Sequence, residues 1–229
     1  MPSWKIHLKV ASNIKEKLNI YEEKDKFMIG NVLPDMYVGH VIKNLSKNID
    51  YEVTHYRTKS IINGGQFFLP DYEMFKNIHI ENLSDSLILG YLVHLMTDYF
   101  FNKYTFTNCC MLDSKGEVCG IKTKKDEFLN CNRKTMTKMK QEDFASYAEM
   151  INLEKCNFSY TSDIFDSLEK LQTFKVEKED MLKVLNYLNA LTYTQDTNVS
   201  KPLILFSKDK LDSMIEECSE FILNYLNRI

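Results

Sequence analysis

Five side chains near the start of this 229-residue chain are suited to metal or acid–base chemistry: His7, Asp35, His55, His94 and Asp98. No histidine follows His94, so any site built on imidazole must be assembled from the N-terminal half. His94 and Asp98 are four residues apart, which on a helix places both on one face about a turn from each other. Each of the five sits beside apolar or turn residues rather than in a run of charges. Three imidazoles and two carboxylates suit zinc, which takes such ligands at about 2.0–2.2 Å. Each residue also has a plainer reading. Asp98 could pair with His94 or a lysine inside the core, because a lone buried carboxylate is strongly unfavourable. His7 could be a satisfied core histidine, and Asp35 could cap a following segment, Met36 to Leu45.

The element that must carry the His94–Asp98 pair is the stretch from Ser84 to Phe106. Ser84, Asp85 and Ser86 offer N-caps, and Leu87, Leu92, Val93, Leu95, Met96, Phe100 and Phe101 make it apolar nearly all round, as befits a helix buried mid-domain. Gly90, one turn before His94, lets another backbone or a ligand come close. Ser3 caps a first helix running to about Asn19, with His7, Ala11, Ile14 and Leu18 on its inward face. Gly30-Asn31 suits a helix end, and Leu33-Pro34 imposes an extended residue and a turn, leaving Asp35 on a loop between apolar flanks. His55 follows a polar linker, Ser46 to Glu52. Gly64-Gly65 reads as a turn or flexible loop, and Leu69-Pro70-Asp71 opens a short helix through Phe75. His40 has no spacing that ties it to a site, and His79 reads as surface or structural.

Residues 107–133 form the least helical part of the chain, an excursion with Asp113 to Gly116 as a hairpin turn. Cys109, Cys110, Cys119 and Cys131 lie in it without a Cys-x-x-Cys knuckle, so they read as reduced packing residues rather than zinc ligands. Helices are expected near Lys134–Leu153, Ser162–Thr173, Lys178–Thr192 and Ser207–Asn227, with a loop from Thr194 to Pro202. No repeat or low-complexity tract is evident. Only 7 Gly and 4 Pro, with 44% hydrophobic and 27% charged residues, describe an ordinary helical globular chain. A formal charge of −3 and no basic stripe argue against a nucleic-acid partner. No apolar secretory h-region follows Met1, and the run around His94 reads as a core helix, not a transmembrane segment; the expected compartment is therefore cytoplasmic.

Four stretches carry a likeness to a known family: Trp4-Lys5-Ile6-His7, Gly30-Asn31-Val32-Leu33-Pro34-Asp35, Thr54-His55-Tyr56, and Gly90-Tyr91-Leu92-Val93-His94-Leu95-Met96-Thr97-Asp98. In order and in the His-x-x-x-Asp helix, the chain resembles the zinc-dependent phospholipase C family, whose superfamily includes the S1/P1 nucleases. The resemblance implies an all-α fold over residues 1–229: a single multi-helix, phospholipase C/P1 nuclease-like bundle around a buried central helix. It implies one zinc held by Asp35, His55, His94 and Asp98, with Asp98 bridging to a partial second site at His7. The family completes that second site with an N-terminal Trp; here Trp4 lies near the start. The family's third metal needs later histidines that this chain lacks, so it resembles a reduced member.

The implied activity is metal-dependent phosphodiester hydrolysis on a phospholipid headgroup or another small phosphodiester, with Asp35 orienting or deprotonating the attacking water. Tyr37, Tyr56, Phe67 and Phe68 could line an apolar groove beside the metal. The alternative is a non-catalytic helical protein whose metal is structural. Oligomeric state is left open.

Overall fold

The structure, a computed structural model, describes residues 2–193 and 201–229. In chain order the described residues form α1 (Trp4–Lys17), α2 (Lys24–Gly30), α3 (Leu33–Met36), α4 (Tyr51–Thr54), β1 (Thr58–Ile62), β2 (Gly65–Leu69), α5 (Tyr72–Ile78), α6 (Ser86–Asn108), β3 (Cys110–Leu112), β4 (Val118–Lys122), β5 (Phe128–Asn130), α7 (Arg133–Ala148), α8 (Ser162–Glu169), α9 (Lys178–Tyr193) and α10 (Lys208–Leu226). Most of the expected loop from Thr194 to Pro202 lies outside the described residues.

α6 is the axis of the assembly. Asp85, rather than Ser84, caps it, its carboxylate accepting from the Leu87 N–H at 3.0 Å. The helix runs 23 residues and ends two residues later than the apolar pattern suggests. Leu87, Ile88, Leu92, Val93, Leu95, Met96 and Phe101 are all fully buried on it. Each such side chain contributes about 1.5–3 kcal/mol by leaving water, so this helix is a major source of the fold's stability. Helices α1, α2, α5 and α10 pack around it.

The crossing of α2 and α6 depends on two glycines. A Cβ on Gly90 would overlap the Phe27 carbonyl, and one on Gly30 would overlap the Leu87 carbonyl. Backbone therefore meets backbone at this crossing, which brings Asn31, just past α2, against the His94 turn of α6.

The all-α expectation needs correction: the protein is mostly helical but carries two small antiparallel sheets. β1 and β2 form a hairpin where Gly64-Gly65 suggested only a loop. Its two-residue turn, Asn63-Gly64, has positive φ at both positions (50° and 87°), the geometry that matches the twist of paired strands. The second sheet, in the order β3-β4-β5, occupies the 107–133 stretch. The Asp113 carboxylate closes its first turn by accepting from the Lys115 and Glu117 N–H groups at 2.8 and 3.0 Å. This hairpin turn is the one that Asp113 to Gly116 led the sequence to expect.

The six cysteines are free thiols. Burial pushes Cys109 up to about 11 and Cys110 up to about 12, which disfavours thiolate. No helix among the described residues is long and apolar enough to cross a membrane.

Candidate metal centre

Three short elements and one long one bring the five chemistry-bearing residues together. His7 lies on the buried face of α1. Asp35 belongs to α3, a single turn with Pro34 in it and Leu33, Met36 and the following Tyr37 anchored in the core. Asp35 is thus inside a short helix and does not cap a Met36–Leu45 helix, because that segment is irregular. His55 ends α4, which is tied to α6 by the Tyr91 hydroxyl donating to the Thr54 carbonyl at 2.6 Å. His94 and Asp98 project from α6. His7, His55, His94 and Asp98 are 0% exposed and Asp35 is 1% exposed.

The distances among their polar atoms are those of ligands around an ion. His55 Nε2 lies 3.1 Å from His94 Nε2, 3.5 Å from Asp35 Oδ1 and 3.4 Å from Asp98 Oδ2. His94 Nε2 is 3.9 Å from Asp35 Oδ2, and His7 Nε2 is 3.4 Å from Asp98 Oδ1. A tetrahedral zinc with ligands at about 2.1 Å needs ligand atoms roughly 3.4 Å apart. Two groups could hold a metal on these grounds: Asp35, His55 and His94, and His7, His94 and Asp98. No cysteine belongs to such a group among the described residues.

Hydrogen bonding around the rings sets where their protons are. His94 Nδ1–H donates to the Asn31 carbonyl at 2.7 Å, because a carbonyl can only accept. His55 Nδ1 lies 2.8 Å from Thr54 Oγ1, and which of the two carries the shared proton depends on the His55 tautomer. Burial pushes His55 down to about 3 and His94 well below its usual value, so both rings are neutral near pH 7. His94 Nε2, with the ring proton on Nδ1, presents a lone pair to His55 Nε2 at 3.1 Å. Asp35 Oδ1, Asp98 Oδ1 and both nitrogens of His7 are buried without a hydrogen-bond partner. Buried acceptors without donors are costly, and a cation at their centre removes the deficit.

The two carboxylates are unlike. Burial, with the Asp98 charge beside it, pushes the Asp35 carboxyl well above the ordinary range. Burial also opposes the Asp98 charge, but the His7 ring, with its Nε2 3.4 Å away, and the other imidazoles overrule it and hold that carboxyl low. Neighbouring side chains fix both. The Trp4 indole N–H donates to Asp35 Oδ2 at 3.2 Å. The Tyr51 hydroxyl donates to Asp98 Oδ2 at 2.5 Å, and its ring stacks on His55 at 3.7 Å. Asn31 is the third. With its amide nitrogen facing the His7 carbonyl at 3.0 Å and its oxygen facing the His94 backbone N–H at 3.3 Å, it links α1 to α6 at the site. Asn31 lies beside Gly30 in one of the motif stretches, so its position was in view, whereas nothing in the polar run before His55 marks Tyr51.

His79 and His40 lie apart from this cluster. His79 is buried between the Phe75 carbonyl (3.0 Å) and the Gln172 N–H (3.1 Å), which makes it structural. His40 is exposed and lines a cavity of about 720 Å³ that reaches Asp35 and is also walled by Trp4, Lys5 and Tyr187. The aromatic groove expected from Tyr37, Tyr56, Phe67 and Phe68 is not this cavity. Tyr37 is buried and bonds Asp180 at 3.0 Å, and Phe67 stacks on Phe106.

A buried carboxylate–imidazole cluster at the end of a solvent-filled cavity has the make-up of a metal-dependent hydrolase site. The zinc dependent phospholipase C family profile matches residues 6–151, a span that holds all five residues and more than half of the chain. The chain belongs to the zinc dependent phospholipase C family. No curated protein and no solved structure matches it.

Proposed function

We propose that this protein is a zinc-dependent phosphodiester hydrolase of phospholipase C type, with Asp35, His55, His94 and Asp98 holding one metal and His7 with Asp98 flanking a partial second position. The observation that carries this reading is the pair of buried imidazole Nε2 atoms 3.1 Å apart, ringed by carboxylate oxygens of which Asp35 Oδ1 and Asp98 Oδ1 have no donor. Such an arrangement is unfavourable in an empty core and favourable around a cation. Bound zinc would supply a Lewis acid that acidifies water and polarises a phosphoryl oxygen.

The protein's own groups divide the remaining work. The Asn31 carbonyl and Thr54 hydroxyl lock the His94 and His55 rings with Nε2 turned inward, and Tyr51 orients Asp98. Asp35 is the member of the cluster that also lines the cavity, so it meets an incoming substrate first. Its Oδ2 is held by the Trp4 indole while Oδ1 has no hydrogen-bond partner, which suits it to orient an attacking water and take its proton. The cavity, at about 720 Å³, is large enough for a phospholipid headgroup or a comparable small phosphodiester.

Complete burial of the cluster favours one other reading, a closed structural metal that only ties α1, α3, α4 and α6 together. Zinc-loaded protein assayed on p-nitrophenylphosphorylcholine and on a short-chain phosphatidylcholine separates the two. Hydrolysis that requires zinc and is lost on chelation supports the enzyme. Stoichiometric zinc with no hydrolysis supports the structural metal.

A further inference from the structure

Two cysteines face each other across the small β3-β4-β5 sheet. Gly120 pairs with Asn130, Ile121 with Leu129 and Lys122 with Phe128, so one further step of the same antiparallel register sets Cys119 opposite Cys131. The Cys131 N–H donates to the Cys119 carbonyl at 3.1 Å, as a hydrogen-bonded pair requires. At the other end of the ladder the Thr123 N–H donates to the Glu127 carbonyl at 2.8 Å, in the same register. Residues directly opposite each other project to one face, and the Cα atoms of a hydrogen-bonded pair lie about 5.5 Å apart. A disulfide spans Cα separations of about 4.4–6.8 Å. The two sulfurs also feel each other: burial pushes the Cys131 thiol up, and Cys119 adds to that shift.

The pair is open to solvent, unlike the rest. Cys119 is the exposed one of the six cysteines and Cys131 is partly buried, whereas Cys109 and Cys218 are buried. Burial pushes Cys109 up to about 11 and Cys110 up to about 12, which keeps them as thiols. The backbone around the pair can adjust. Cys119 is the extra residue of a β-bulge, since Met111 faces Gly120 while Leu112 faces Val118. β5 is an edge strand whose three residues are all exposed. That freedom matters because hydrogen-bonded positions hold side chains farther apart than the alternate ones, so a bond formed there is strained and easily reduced.

We infer that Cys119 and Cys131 form a cross-strand dithiol that a low-molecular-weight disulfide, of the kind glutathione forms, oxidises reversibly to an intramolecular disulfide. The Cys119 thiolate attacks one sulfur of the small disulfide, giving a mixed disulfide and releasing one small thiol. The Cys131 thiolate then attacks the Cys119 sulfur, closing the protein disulfide and releasing the second small thiol. The two protein thiols lose two electrons and two protons, and the small disulfide gains them. Arg133, two residues past Cys131, begins α7, whose Gln141, Ala145 and Glu149 wall the cavity beside Asp35. The bond therefore ties β4 to the start of a helix that reaches the metal centre's entrance.

The test incubates the full chain in glutathione buffers ranging from fully reduced to fully oxidised, quenches with acid, alkylates free thiols with N-ethylmaleimide and maps peptides by mass spectrometry. Oxidising buffers are expected to remove two of the six alkylatable thiols and to yield one linked peptide joining Cys119 to Cys131, reopened by excess reduced glutathione. In native protein, N-ethylmaleimide should modify Cys119 about tenfold or more faster than Cys109 or Cys110. Cys131→Ser should raise the mixed glutathione disulfide at Cys119 about tenfold or more, because no second thiol resolves it. Cys119→Ser, at an exposed position, should leave the fold intact by circular dichroism and abolish the linked peptide. Neither zinc nor hydrolysis enters these readouts, so the result stands apart from the phosphodiesterase reading. No linked peptide in well-folded parent at any buffer ratio, a link from Cys131 to Cys110 instead, or a Cys119–Cys131 bond that excess reduced glutathione fails to reopen overturns the inference.

Discussion

Asp98→Asn should destabilise the protein both with and without metal, and more with it. Asp98 is fully buried, with its oxygens 3.4 Å from His7 Nε2, 3.4 Å from His55 Nε2 and 2.5 Å from the Tyr51 hydroxyl. Asparagine keeps the shape and the oxygen that accepts from Tyr51, but removes the charge. In metal-free protein the imidazoles around Asp98 hold its carboxyl low despite burial, so the fold favours that charge. Removing it should cost about 1–3 kcal/mol. In metal-loaded protein the loss is larger. At free zinc about 100 times its dissociation constant, binding stabilises the parent by about 2.7 kcal/mol. For a chain of this length that corresponds to a rise of roughly 5–11 °C in Tm. Asp98→Asn should lose most of that rise at the same zinc concentration. Thermal melts of both proteins, chelated and zinc-loaded, give the four numbers needed. Zinc raising the Tm of Asp98→Asn as much as that of the parent would show that the carboxylate holds no metal.

Three further outcomes follow from the same geometry. Gly90→Ala should destabilise the protein by about 1–3 kcal/mol or more in urea melts, because the new methyl meets the Phe27 carbonyl and forces α2 away from α6; near-parental stability would contradict the backbone contact. Chelated protein should lose stability as pH falls between about 6.5 and 3, since His55, pushed down to about 3, takes up a proton there in the unfolded chain but not in the folded one. His94, also pushed down, adds to that slope and Asp35, pushed up, subtracts from it, so denaturant melts across pH should steepen with the first two and flatten in His55→Leu. His79→Leu should leave zinc content unchanged yet cost about 1–3 kcal/mol, because it strands the Gln172 N–H that the ring now accepts from.

The central helix and the chemistry on it were legible because both obey period-3.6 rules: the apolar run marks α6, and a four-residue spacing puts His94 and Asp98 on one face. The loops that bring Asp35 and His55 to them were legible only through family likeness, since no periodicity relates residues that far apart in sequence. The β1-β2 hairpin was legible only as a turn or flexible loop, because Gly64-Gly65 names no strands; the turn is Asn63-Gly64, a pair that itself signals a two-residue hairpin. Tyr51 could not be found in advance. What distinguishes it is its contact with Asp98 in space, and an isolated tyrosine in the sequence carries no trace of that.

X-ray absorption at the zinc edge of the zinc-loaded protein tests the central claim most directly. A site built from Asp35, His55, His94 and Asp98 predicts one tightly held zinc per chain with nitrogen and oxygen neighbours at about 2.0–2.2 Å and imidazole outer-shell scattering, both lost in His94→Ala. A sulfur shell at about 2.3 Å, or a spectrum unchanged by His94→Ala, would place the metal elsewhere and contradict the account.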